Sequence, residues 1–223
     1  MPTFTGQSGR QWGFFSDRRL GRPSGFGEVF VGSDGTTEWA VKRVPLRIGS
    51  ADEVRRRERE VEMAMKFAAA RTPLDHVLFP IDWGMFGDDL MLVMPKAERS
   101  LDEAISLRNL TRQQQLAALS DIATGMAELS SIDVLHRDLK PENVLWLGGR
   151  WRLSDFGIAR DLDLSTASAT FSGFGCLAYL APEVWEHHPA TRRSDLYAFG
   201  VLAYEVMGGG KPNGGAHRFK WRT

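Results

Sequence analysis

The chain has 223 residues, 43% of them hydrophobic and 25% charged, which suits one large globular domain or two small lobes. Its 28 basic and 28 acidic residues cancel, so nothing argues for bulk electrostatic binding, and no nucleic-acid partner is expected. A single cysteine, Cys176, rules out an internal disulfide and fits a reducing compartment; no apolar run reaches spanning length and no signal pattern opens the chain, so a cytoplasmic protein without a membrane span is expected.

Residues 1–11 are polar and Gly-containing and read as a loose terminus. A strand is predicted from Trp12 to Leu20, followed by the Gly-rich run Leu20-Gly21-Arg22-Pro23-Ser24-Gly25-Phe26-Gly27-Glu28-Val29. Such a turn lets backbone N–H groups approach phosphates with no Cβ in the way, although by itself it is also a common hairpin. Phe30-Val31 continues a strand, Ser33-Asp34-Gly35-Thr36 is a turn, and Trp39-Ala40-Val41-Lys42 is the next strand. Ser50-Ala51-Asp52-Glu53 has capping-box spacing and opens a charged helix to about Ala70, with Val61, Ala64, Met65 and Ala68 on its apolar stripe. Strands from His76 to Gly84 and from Leu90 to Met94, around a turn at Gly87-Asp88, complete a small five-stranded sheet.

The second half reads as mainly helical. Ser100 with Glu103 and Thr111 with Gln114 are two further capping boxes. The longer helix carries Leu116, Leu119, Ile122, Ala123, Met126 and Leu129 at helical spacing, which predicts its core face. Short strands flank Gly148-Gly149, and residues 160–174 form a polar segment with Ser165, Thr166, Ser168, Thr170 and Ser172. A last helix starts at Ser194-Asp195, and residues 208–223 are a Gly-rich tail.

Chemistry concentrates in His136-Arg137-Asp138-Leu139-Lys140-Pro141-Glu142-Asn143, followed by Asp155-Phe156-Gly157. A carboxylate such as Asp138 can orient or deprotonate a hydroxyl. Asn143 and Asp155 offer oxygens to hard divalent cations, which take few protein ligands when they bridge phosphates. Lys140 adds positive charge where a transferring phosphoryl group builds negative charge. This pair of motifs resembles the catalytic and magnesium loops of protein kinases. Trp39-Ala40-Val41-Lys42 resembles the family's lysine strand, and Ala181-Pro182-Glu183 resembles the end of its activation segment. The Gly-rich loop is similar but irregular: alignment from Gly27 puts Arg22 and Ser24 at the first two glycines, and one extra residue recovers Gly21. Cys176 stands where the family has a threonine.

The resemblance implies an α+β, two-lobed protein kinase-like fold over residues 12–207, with an N-lobe at 12–95 and a mainly helical C-lobe at 96–207 that lacks its last helices. It implies ATP near residues 95–97 and Mg2+ as cofactors. Asp138 and Lys140 would be catalytic, and Asn143 and Asp155 would hold the metal. Leu20, Gly21, Gly25, Phe26, Gly27, Val29, Ala40, Lys42, Met94 and Ala97 would line the nucleotide. Glu60, chosen over Glu58 and Glu62, would pair with Lys42. Lys140 favours the serine/threonine branch, with a protein substrate. Asp195 would tie back to the backbone near His136, and Glu183 lacks an obvious arginine partner. A partner covering the incomplete C-lobe is expected. The alternative is a nucleotide-binding pseudokinase or regulatory scaffold with little activity.

Overall fold

The structure, a computed structural model, describes residues 1–24, 27–45, 73–156 and 176–209. Gly25, Phe26, the predicted helix that carries Glu60, the polar segment at 160–174 and the end of the Gly-rich tail lie outside the described residues. The chain divides into two compact units, Met1–Pro73 with Leu78–Glu98, and Leu74–Val77 with Arg99–Thr223.

The first unit is an antiparallel sheet of strands β1 (Thr3–Thr5), β2 (Gln11–Ser24), β3 (Gly27–Ser33), β4 (Glu38–Pro45), β5 (Asp82–Phe86) and β6 (Asp89–Pro95). Its order is β1-β2-β3-β4-β6-β5. Apolar and β-branched residues at alternate positions drive these strands, because each then buries one face. Phe30, Val41, Met91 and Val93 point to one side, where they meet Phe4, Trp12 and Phe14 in a buried cluster. Val29, Ala40, Lys42, Leu92 and Met94 fall on the opposite side by strand alternation, in register across β3, β4 and β6.

A sixth strand, β1, joins the five read from the sequence, out of the segment expected to be loose. Thr-Phe-Thr alternates with burial pattern exposed, buried, exposed, so Phe4 enters the core while both threonines face out. β1 pairs with β2, and Gly6 bridges Gly84 of β5, so the sheet's two edges meet. Gly84 has to be glycine there, since a Cβ would lie 2.4 Å from the Thr5 carbonyl oxygen. β5 starts at Asp82 and not at His76, because His76 and Val77 are hydrogen-bonded or bridged to Leu153 in the second unit.

The second unit holds the small sheet β7 (Arg99–Ser100), β8 (Val144–Leu147) and β9 (Arg150–Leu153), with helices α1 (Leu101–Ser106) and α2 (Arg112–Ser131). Further on come α3 (Pro182–Trp185) and α4 (Arg192–Tyr204), the latter running into a π turn at Glu205–Gly209. Both predicted capping boxes form: Ser100 accepts from the Glu103 N–H and Thr111 from the Gln114 N–H, with each partner side chain reaching back. The buried face of α2 is Ala118, Ile122, Gly125 and Leu129, rotated from the predicted stripe, and Leu116 and Ala123 are exposed. Gly125 explains the rotation. A Cβ there would sit 2.8 Å from the His76 carbonyl oxygen, so the helix closes on its neighbours along its smallest residues. No helix among the described residues is long and apolar enough to cross a membrane.

Candidate active site

The loop from His136 to Asn143 is built around hydrogen bonds that its own residues make. Leu139 is buried and anchors it in the core. Pro141 at the first position of a 3-10 turn, Pro141–Asn143, reverses the chain and returns Asn143 towards Asp138. The Asn143 amide nitrogen donates to the Asp138 backbone oxygen at 2.8 Å and to Asp138 Oδ2 at 3.0 Å. Lys140 Nζ reaches the same Oδ2 at 3.0 Å. The three polar side chains predicted from one octapeptide are thus gathered on one carboxylate. Since the Asn143 nitrogen is committed to Asp138, its amide oxygen is the atom it can offer a cation.

The loop is held from outside by Asp195 near the start of α4. Asp195 accepts the His136 N–H at 2.7 Å and the Arg137 N–H at 2.8 Å, as the sequence reading expected. Arg137 has φ 61° and Asp155 has φ 54°, left-handed conformations that non-glycine residues adopt at a cost, so surrounding bonds must hold them. His136 is buried, with its ring 5.5 Å from that of Phe156 in an edge-on arrangement. Its Nδ1 faces the Asp138 N–H at 3.4 Å, and its Nε2 has no hydrogen-bond partner among the described residues. Burial pushes the His136 pKa below its usual value; the negative charges of Asp195, Asp138 and Asp155 oppose this and do not overcome it.

Asp155 follows β9, and Ser154 ties it to Asn143. The Ser154 N–H and hydroxyl both donate to the Asn143 backbone oxygen, at 2.9 and 3.1 Å. One Asp and one Asn oxygen, hard donors, fit a magnesium ion that takes its remaining ligands from phosphates and water. Among the described residues, no group of three or more His, Cys, Asp or Glu is arranged to hold a metal alone.

The first unit carries the other predicted residues. Val29 pairs with Lys42, Leu20 with Val29, and Ala40 with Met94, so these five share one face of the sheet. Ala97 lies two residues beyond the end of β6. Gly21 has φ +69°, and Gly27 has φ +135° with the Arg43 carbonyl oxygen 2.4 Å from where a Cβ would be. Only glycine fits at Gly27. The irregular Gly-rich loop is a register shift between Leu20 and Ser24, after which Ser24 pairs with Gly27.

A model of the protein kinase domain matches residues 16–220. The chain belongs to the protein kinase family. Among its relatives are the serine/threonine-protein kinase PkaB of Streptomyces coelicolor, 33% identical over 215 residues, and pkn2 of Myxococcus xanthus, 34% identical over 201. PrkC of Bacillus subtilis, also a serine/threonine-protein kinase, is 31% identical over 196 residues. These matches cover 89%, 84% and 84% of this chain but only 49%, 23% and 29% of the relatives.

Two contacts of the second unit escaped the sequence reading. Glu183, for which only the lack of an arginine partner was expected, accepts the Ser194 hydroxyl at 2.6 Å. Tyr179 and Glu205 form a buried hydroxyl–carboxylate bond, with burial first and then Glu205 pushing the phenol pKa far up. The Ser-Asp pair at the start of α4 signalled a helix start and, by resemblance, the tie from Asp195 to the loop, but not the bond from Ser194 to Glu183.

Proposed function

We propose that this chain is a serine/threonine protein kinase domain that transfers the γ-phosphoryl group of ATP to Ser or Thr hydroxyls of proteins. The observation that carries the proposal is the Asp138 carboxylate bonded at once to Lys140 and Asn143 on a loop pinned by Asp195. Asp138 orients the attacking hydroxyl and takes its proton. Lys140 stabilises negative charge on the transferring group. Asn143 and Asp155 would hold Mg2+, which when bound neutralises phosphate charge. Lys42 contacts the phosphates, with Glu60 its proposed partner. Leu20, Gly21, Gly25, Phe26, Gly27, Val29, Ala40, Met94 and Ala97 line the nucleotide. A cytoplasmic setting goes with the single cysteine, a coupling to protein substrates with the Ala181-Pro182-Glu183 segment.

A transfer assay with γ-labelled ATP and a protein or peptide mixture tests this, followed by mapping of the labelled residues. Asp138→Asn is expected to abolish transfer and leave ATP binding nearly unchanged, because it removes a base and no phosphate contact. Near wild-type transfer by that variant would show the role assignment to be wrong. The second reading, a nucleotide-binding regulator with little transfer, is favoured by the register shift of β2 between Leu20 and Ser24. ATP binding without label transfer under all conditions would select it.

A further inference from the structure

His76 lies in the short segment Leu74–Val77, which belongs to the second unit. Its ring Nδ1 is 2.9 Å from Glu128 Oε1 and its Nε2 is 3.6 Å from Asp121 Oδ1. Its backbone N–H donates to the other Glu128 oxygen at 2.9 Å. Glu128 and Asp121 stand two turns apart on α2 and so share a face. The three side chains are only 17%, 14% and 24% exposed, in that order, so these contacts are shielded from water.

The other side of His76 bears on β9. Its carbonyl oxygen accepts the Leu153 N–H at 2.8 Å, and Val77 forms a parallel bridge with Leu153. Asp121 accepts the Trp151 N–H at 2.9 Å. The α2 acids therefore hold β9 at two backbone donors, directly at Trp151 and through His76 at Leu153. Gly125 permits this, since its missing Cβ would be 2.8 Å from the His76 oxygen and 3.0 Å from the Leu153 side chain. Beyond Leu153 come Ser154, bonded to the Asn143 carbonyl oxygen, and then Asp155.

We propose that His76, clamped by Glu128 and Asp121, is a positioning residue that fixes β9 and so sets the two metal-holding residues, Asp155 and Asn143. This rests on the kinase reading, in which those residues bind Mg2+. The mechanism is that of an outer shell. Side chains that orient metal ligands affect metal affinity without touching the metal, typically by about 10–100-fold.

The test measures binding of a fluorescent, non-hydrolysable ATP analogue to the full chain as Mg2+ is titrated, with thermal unfolding alongside. Glu128→Ala is expected to raise the half-saturating Mg2+ concentration about tenfold. Analogue affinity without metal should not change. Glu128→Gln keeps an acceptor for the His76 backbone N–H and should return most of the loss. An unchanged Mg2+ requirement in a folded Glu128→Ala protein overturns the proposal and leaves the clamp as packing alone. If Glu128→Ala does not fold, His76→Gln and Asp121→Asn are judged by the same shift. A wild-type protein whose analogue binding ignores Mg2+ would sink the kinase reading and this inference with it; a Mg2+-dependent wild type with unmoved variants sinks the inference alone.

Discussion

Asp195 governs the loop of Asp138 from a distance of 57 residues in sequence, through two short bonds to backbone N–H groups. Hydrogen bonds to a charged group are worth about 1.5–3 kcal/mol each. Without them Arg137 has less reason to stay at φ 61°, and Asp138 beside it loses its orientation. Asp195→Ala is expected to lower turnover by at least about tenfold, the equivalent of roughly 1.4 kcal/mol, with nucleotide affinity little changed. Steady-state kinetics beside a binding titration separates the two; a full-rate Asp195→Ala enzyme would contradict it. His136 makes a second prediction. Its folded pKa lies below the ordinary histidine value, so the unfolded chain binds the extra proton as pH falls. Its contribution to stability is therefore full above about pH 6.5 and declines below it. Urea unfolding from about pH 7.5 to 5 should show that decline in wild type and a smaller one in His136→Leu, corrected for the loss that Leu causes at pH 7.5. Equal slopes would mean that His136 is not the group responsible. The octapeptide from His136 to Asn143 was legible because its bonds are local. His76 and Glu128 were not, because a contact across 52 residues leaves no mark on the spacing of either.

At the scale of elements, local grammar was readable and partnership was not. Capping boxes at Ser100 and Thr111 are written within four residues, and both form. The face of α2 was misjudged because hydrophobicity ranked Leu116 above Gly125, whereas close approach to the His76 carbonyl ranks Gly125 first. Strand β1 was missed for a related reason: three residues make no strand unless the fold supplies partners on both sides. Much of that support comes from Asp82, a buried carboxylate at the start of β5. It accepts from the Ser8 hydroxyl at 2.5 Å, the Trp12 indole N–H at 2.6 Å and the Ser8 and Trp83 backbone N–H groups at 3.2 and 2.9 Å. Burial raises its pKa, and these donors together outweigh it, so the carboxyl ends below its ordinary value. A group depressed in this way stabilises the fold above its unfolded pKa, and the benefit is lost as pH falls through the folded value. Asp82→Ala should cost about 3 kcal/mol near neutral pH, since several donors to one charge are stranded. The gap to wild type should narrow below about pH 4. Chemical denaturation at both pH values checks it; a gap that stays constant would mean the charge on Asp82 contributes nothing.

At the scale of the whole molecule, α4 presents a conflict that its sequence concealed. Read as a buried helix, it has Ser194, Asp195, Ala198 and Leu202 turned inward. Leu196 and Tyr204 lie eight residues apart on the opposite face, 61% and 56% exposed, with Gly200 between them and open space around its missing Cβ. Single surface leucines need no explanation, but two large apolar residues exposed on one helix face, either side of a glycine, form a short stripe on which another surface can bind. The proposal that a further protein segment or partner covers the C-lobe is therefore made for this face. If it is right, the chain alone should self-associate or bind a hydrophobic dye. Leu196→Glu with Tyr204→Lys should suppress both while changing unfolding stability by less than about 1 kcal/mol, because neither side chain contributes much to the core. Size-exclusion chromatography coupled to light scattering decides the matter. A wild-type chain that runs as a compact monomer, binds no dye and matches the double variant would show that the stripe is ordinary surface, and the partner proposal would fall while the reading of the Asp138 loop stood untouched.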